Sequence, residues 1–204
     1  IEPLDGATIS ANTTIRATAS DHANGGVHRV EFFCDDTLIS EVYTYGMPPV
    51  LDWDTTSVDD GAHTLTATAH DNAGQNTTSA PISVTVDNSP PTVSFVTPTD
   101  LEVVSDVVGV EVSASDPHSG VTSVDFYVDG VYRYTDDDGS DGWSWLWDTN
   151  ALEDKGYVLA VVATNGAGLT NNTSIQVTVD NADKTAPVVS LIAPASGPVS
   201  GTAT

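Results

Sequence analysis

The chain repeats itself with a period of about 94 residues, and this limits the possible architectures more than any other feature of its sequence. "TIRATASDHANGGVHRVEFFCDD" (14–36) lies over "GVEVSASDPHSGVTSVDFYVDG" (109–130). "LDWDTTSVDDGAHTLTATAHDNAG" (51–74) lies over "WLWDTNALEDKGYVLAVVATNGAG" (145–168), and "ISVTVDN" (82–88) over "IQVTVDN" (175–181). Pro3, Pro98 and Pro194 mark one point in three successive copies. The spacing predicts domain 1 over 1–88 and domain 2 over 89–182. Residues 183–204 are then a linker and the opening of a third copy.

Each copy reads as short strands separated by turn signals. In "VEFFCD", Val30, Phe32 and Cys34 share one face; in "VDFYVD", Val124, Phe126 and Val128 do. Leu65, Ala67 and Ala69 alternate with threonines in the same manner. A period of two is the mark of a half-buried sheet, and Gly, Asn, Asp and Pro clusters bound every run. No stripe of helical period is sustained. About seven such strands in some 90 residues predict a Greek-key β-sandwich. The single cysteine, Cys34, rules out an intramolecular disulfide, so packing alone must close each core. Val30, Phe32, Trp53, Leu65, Val124, Phe126, Trp147 and Val161 are the expected core.

The series "GVHRVEFFCDD…WDT…G…LTATAHDNAG…VTVDN" resembles the Big-type immunoglobulin-like repeats of bacteria and archaea. The resemblance covers nearly the whole chain. It implies tandem immunoglobulin-like domains of an extracellular or cell-surface protein of a prokaryote, bacterial or archaeal. It implies the fold more than the function, because sandwiches host many functions.

Charge narrows the partners. With 29 acidic and 5 basic residues the net charge is −24. Nucleic acid and anionic membrane surfaces both need Lys and Arg, so neither is an expected partner. The charge suits divalent cations, high salt or acidic surroundings. No run of 18 apolar residues occurs, so no membrane insertion through a transmembrane helix is expected.

Catalysis finds no support in the residues. There is no G-x-S-x-G and no H-E-x-x-H. Histidines in one copy face other residue types in the other: His63 faces Tyr157, and His70 faces Thr164. The chain is expected not to be an enzyme and to need no cofactor beyond a candidate calcium ion. Calcium takes six to eight oxygens. The domain ends place Asp87–Asn88 and Asp180–Asn181 at junctions, with Asp21 and Asp116 in nearby turns, and the resemblance to cadherin-like families implies that junction calcium would stiffen a string of domains. The loop "TDDDGSDGW" adds Asp136 and Asp138. Against this stands the plainer reading that these acids cap solvated turns.

Three further features remain. "WSWLW" puts Trp143 near the exposed end of an aromatic row that could stack on a surface glycan; Trp145 and Trp147 read as core. Asn12, Asn76, Asn171 and Asn172 are N-glycosylation sequons. Finally, the strand "TVSFV" (92–96) opens repeat 2 and "VVSLI" (188–192) opens repeat 3, but Ile1 aligns with Val96, the last residue of that strand. Two readings follow. The chain is a piece of a longer tandem array, or Val188, Val189, Ser190, Leu191 and Ile192 form a donor strand completing the next copy head-to-tail. Both lead to a filament or stalk of sandwiches joined to copies or adjacent repeats. The alternative is an adhesin, or a carbohydrate-binding or accessory module of a larger secreted or surface protein.

Overall fold

The computed structural model describes residues 2–21, 26–182 and 187–190. The first domain contains β1 (Ala7–Ile9), β2 (Asn12–Arg16), β3 (Val27–Cys34), β4 (Thr37–Tyr43), β5 (Val50–Asp54), β6 (Gly61–Asp71), β7 (Asn76–Thr78) and β8 (Ile82–Val86). The second contains β9 (Thr92–Thr97), β10 (Glu102–Val104), β11 (Val107–Ser115), β12 (Val121–Val128), β13 (Val131–Asp136), β14 (Trp143–Asp148), β15 (Gly156–Asn165) and β16 (Thr170–Val179). The helical turns among the described residues are the two single ones, Thr55–Ser57 and Gly139–Asp141.

Each domain closes one sheet over another. In the second domain the larger sheet runs β10-β16-β15-β12-β13 and faces a three-stranded sheet, β14-β11-β9. In the first, the order β1-β8-β6-β3-β4 repeats the larger sheet, with β7 also on β6, and among the described residues β2-β5 faces it.

Strand alternation places the cores as expected. All eight expected core residues are at most 4% exposed. They form two separate clusters, one drawn from residues 9–86 and one from residues 104–179. Trp147 packs edge-on against Tyr157 at 5.8 Å. Cys34 is buried, and its burial pushes the thiol up to about 11, so the reactive thiolate is scarce at neutral pH.

The shared "WDT" signature has a structural purpose in both copies. Trp53 and Trp147 fill the cores. Asp54 accepts from the Thr56 amide at 3.0 Å and Asp148 from the Asn150 amide at 3.0 Å, turning the chain. Thr55 and Thr149 are fully buried, and their hydroxyls donate to the carbonyls of Ala11 at 2.9 Å and Asp106 at 2.8 Å.

A candidate interdomain junction

The "VDN" that ends each repeat places two neighbouring polar side chains on opposite sides of an extended chain. Asn88 turns back into its own domain: its Oδ1 accepts from the Ala11 amide at 2.8 Å. Asn181 repeats this, accepting from the Asp106 amide at 3.0 Å and donating through Nδ2 to the Thr149 carbonyl at 2.7 Å. Both asparagines thus tie the WDT turn to the start of the facing sheet.

Asp87 faces the other way, into the second domain, and is fully buried. Its Oδ2 accepts from the Ser119 hydroxyl and, at 2.9 Å, from Asn165 Nδ2. The same amide nitrogen lies 3.0 Å from Asp116 Oδ2 and 3.0 Å from the Ser89 carbonyl. One buried NH2 group therefore serves three acceptors, two of them carboxylates from different domains. Asn165 Oδ1 in turn accepts from the amides of Ala167 and Leu169, at 3.1 and 2.8 Å, which locks its orientation. Asp60 completes the rim: it accepts from the Asn88 amide at 2.8 Å and the Ser89 hydroxyl at 2.6 Å, with His118 Nδ1 at 3.9 Å.

The carboxyls titrate accordingly. Burial acts to raise Asp60, but the Ser89 hydroxyl, the Asn88 amide and the nearby His118 outweigh it and hold the carboxyl below its ordinary value. For Asp116, burial is likewise outweighed by Asn165 and the amides of Ser119, His118 and Gly120. A depressed folded value means stability that is complete above the unfolded value of 3.8 and lost as pH falls through the folded one. We expect domain docking, followed by small-angle scattering, to be constant from neutral pH down to about 5 and to fail only below 3.8. Loss of docking near neutrality would contradict this assignment.

The sequence-predicted metal ligands are not brought together as one set. Asp87 and Asp116 meet through Asn165. Asp136 lies elsewhere, accepting from the amides of Asp138 at 3.1 Å and Ser144 at 2.8 Å, while Asp138 caps the turn at Gly139–Asp141. Asp180, at the end of β16, donates its amide to the Val104 carbonyl at 3.0 Å. Asp21 lies in the first domain, in the irregular segment after β2. Among the described residues, two groups bring three metal-ligand atoms within reach of one ion: Asp60–Asp87–His118 at the junction and Cys34–Asp35–His63. The junction group offers two carboxylates and an imidazole, a different donor set from the all-oxygen shell of calcium. Asp60, His118, Ser119 and Asn165 were not legible as junction residues. The available signal was Asn165 standing where repeat 1 has Asp71, in the corresponding turns "DNAG" (71–74) and "NGAG" (165–168).

The remaining sites are placed as follows. Trp143 is half-buried, with its ring close against Gly139, where an added Cβ would sit 2.4 Å from it. The exposed aromatics among the described residues include Tyr43, Tyr45, Tyr132 and Tyr134, of which Tyr43 and Tyr45 stack at 6.2 Å. Asn12, Asn76, Asn171 and Asn172 are all exposed, and Asn171 Nδ2 donates to the Pro91 carbonyl at 2.9 Å. Of the donor segment, Val188, Val189 and Ser190 are exposed and outside any strand. Leu191 and Ile192 lie outside the described residues.

A family model described as bacterial Ig domain matches residues 1–67 and 91–161. No curated protein sequence matches the chain. An I-band fragment of titin is 14% identical with a TM-score of 0.51, over 86% of this chain and 62% of that one, and shows the fold alone. The fibronectin(III)-like modules of Clostridium thermocellum CbhA are 23% identical with a TM-score of 0.48, over 93% of this chain and 97% of theirs. An endo-beta-1,4-mannanase from Thermotoga petrophila is 20% identical with a TM-score of 0.39. It is matched over 47% of this chain, which spans only 21% of its length.

Proposed function

Because this chain belongs to the bacterial Ig domain family, we propose that it is a non-enzymatic segment of an extracellular filament or stalk, made of Ig-like domains in series and continued head-to-tail through residues 188–192. Domains of this family are typically extracellular or on the cell surface. No helix among the described residues is long and apolar enough to cross a membrane.

One observation carries the reading: the buried Asp87–Asn165–Asp116 bridge between the domains. A flexible linker would leave Asp87 in water. Here its desolvation is offset only while the second domain holds one orientation, so the junction favours a fixed angle over a hinge. Pro90 and Pro91 restrict the same connection further. A fixed angle is what a rod needs to transmit length and force. The high negative charge keeps neighbouring rods apart.

The stacked, exposed Tyr43–Tyr45 pair favours a second reading, in which the rod carries a glycan-binding face as an adhesin or accessory module. Electron microscopy of the source cells with a labelled antibody to this chain separates the two. Label spaced along thin surface filaments is the expected result. Label confined to secreted polysaccharide, with no filament, would replace the structural reading with the second.

A further inference from the structure

At one end of its core the first domain departs from the second in a way the shared fold does not require. The turn after β3 is built as its twin after β12: Asp35 Oδ1 accepts from the Thr64 amide at 2.8 Å, and its counterpart Asp129 from the Val158 amide at 2.9 Å. A second tie is also common to both. His63 Nε2 lies 2.8 Å from the Asp59 carbonyl, where the second domain has the Tyr157 hydroxyl donating to the Glu153 carbonyl at 3.2 Å. On this shared frame two positions change together. Where the second domain has Val128 and Tyr157, the first has Cys34 and His63. The change brings a sulfur, a ring nitrogen and an Asp35 carboxylate oxygen within 4.8 Å of one another.

We propose that Cys34, Asp35 and His63 bind a zinc-like divalent transition-metal ion. A carbonyl oxygen can only accept, so the contact with Asp59 puts the ring hydrogen of His63 on Nε2. Nδ1 then presents a lone pair, and it lies 2.6 Å from Asp35 Oδ2, which as a carboxylate oxygen also only accepts. A cation between the two reconciles them. A proton serves that pair and leaves the sulfur unused; a metal ion uses all three atoms. The hold on the far side of the ring fits the same purpose. Metal-ligating histidines donate their other N–H to a carbonyl or carboxylate, which fixes the tautomer and aims the ligating nitrogen.

The donor set selects the ion. One thiolate, one imidazole and one carboxylate suit zinc and its neighbours, whereas calcium and magnesium take oxygens. Zinc bonds are about 2.3 Å to sulfur and about 2.0–2.1 Å to nitrogen and oxygen, so binding opens the short His63–Asp35 contact and draws Sγ towards it. The burial of Cys34 is no bar, because a metal displaces the proton of the thiol it coordinates. The site is closed on one side and open on the other: Cys34 is 4% exposed, while the side chain of Asp35 is 52% exposed. The ion therefore enters past Asp35, and water completes a four-coordinate shell. Once bound, it clips the turn between β3 and β4 to the start of β6.

The chain has a single cysteine, so a thiolate–metal bond can come only from Cys34. The whole chain, stripped with a chelator and titrated with cobalt(II), is expected to gain the thiolate-to-cobalt absorption band. The band should saturate at one ion per chain, bleach on adding zinc and persist in excess calcium or magnesium. The double variant Cys34→Val with His63→Tyr installs the pair that the second domain packs around, so the fold should stand and the band be absent. His63→Tyr alone keeps the thiol and is expected to weaken cobalt by more than the roughly 10–100-fold that loss of an outer partner costs. In calorimetry zinc should raise the melting of the first domain and leave the second unmoved. A wild type that shows no thiolate band in saturating cobalt would overturn the proposal. So would undiminished affinity in His63→Tyr, which would reduce the site to a bare thiol. None of the three residues belongs to the Asp87–Asn165–Asp116 bridge, so either result leaves the rod to be judged by the cell-surface microscopy.

Discussion

Asn165→Asp is expected to undock the two domains at neutral pH, shifting the docked-to-undocked ratio by roughly two to four orders of magnitude, or about 3–5 kcal/mol. The Asn165 amide group is the donor that Asp87 and Asp116 share. Replacing it with a carboxylate removes that donor and sets three anions together in a site where Asp87 is fully buried. The turn itself should survive. Its amides need only the Oδ1 acceptor, and Asp71 supplies the same contact in the first domain, accepting from Ala73 and Gln75 at 2.8 and 2.7 Å. Domain separation hydrates the charges without breaking either core, so separation rather than unfolding is the expected relief. Burial and two anionic neighbours raise the introduced carboxyl. A raised carboxyl penalises the docked state above its folded value and ceases to do so as pH falls through it, since the protonated acid donates again. Dyes on the two domains, read by energy transfer between pH 7 and 4, measure this. Transfer efficiency at pH 7 equal to wild type would show that the bridge does not set the docking.

The second large effect compares one position in two settings. Phe126→Ala is expected to cost about 3–5 kcal/mol, and Phe32→Ala about 2–3 kcal/mol. Both rings are at most 2% exposed and occupy equivalent places in their strands. Phe126 is enclosed, with Trp145 at 6.0 Å and Tyr134 at 6.2 Å, so its removal leaves a sealed cavity that the surrounding sheets cannot collapse. Phe32 lines an open apolar groove of about 330 Å3 beside Ile15, Ala17 and Leu65, so the space left there joins water and the cavity part of the cost shrinks. Calorimetry should show the transition of the second domain falling further with Phe126→Ala than that of the first with Phe32→Ala. Equal shifts, or a larger one at Phe32, would mean the groove is closed in solution.

Much of the fold was legible because its code is local. Alternation in "VEFFCD" and "VDFYVD" places Val30, Phe32, Val124 and Phe126 inward whatever the neighbouring strands are, since an extended backbone sends successive side chains to opposite faces. The candidate sites were legible only in part. The "VDN" motif could be seen to recur, but Asp87 and Asn88 were read as one ligand pair. The same alternation separates them, one into its own domain and one into the next. The aromatic row was read correctly for Trp147, while Trp143 is half-buried with its ring close against the turn at Gly139, which no pattern within "WSWLW" indicates.

The sequence by itself determined the repeat, the strands and the inward faces, all products of short-range sterics written twice in one chain. Tertiary structure alone decided that Asp87 meets Ser119 and Asn165, 32 and 78 positions away, and that Asp60 lies beside His118. Those features depend on how separately folded surfaces come together, and the free energy of that docking is spread over residues that no periodicity in the chain connects.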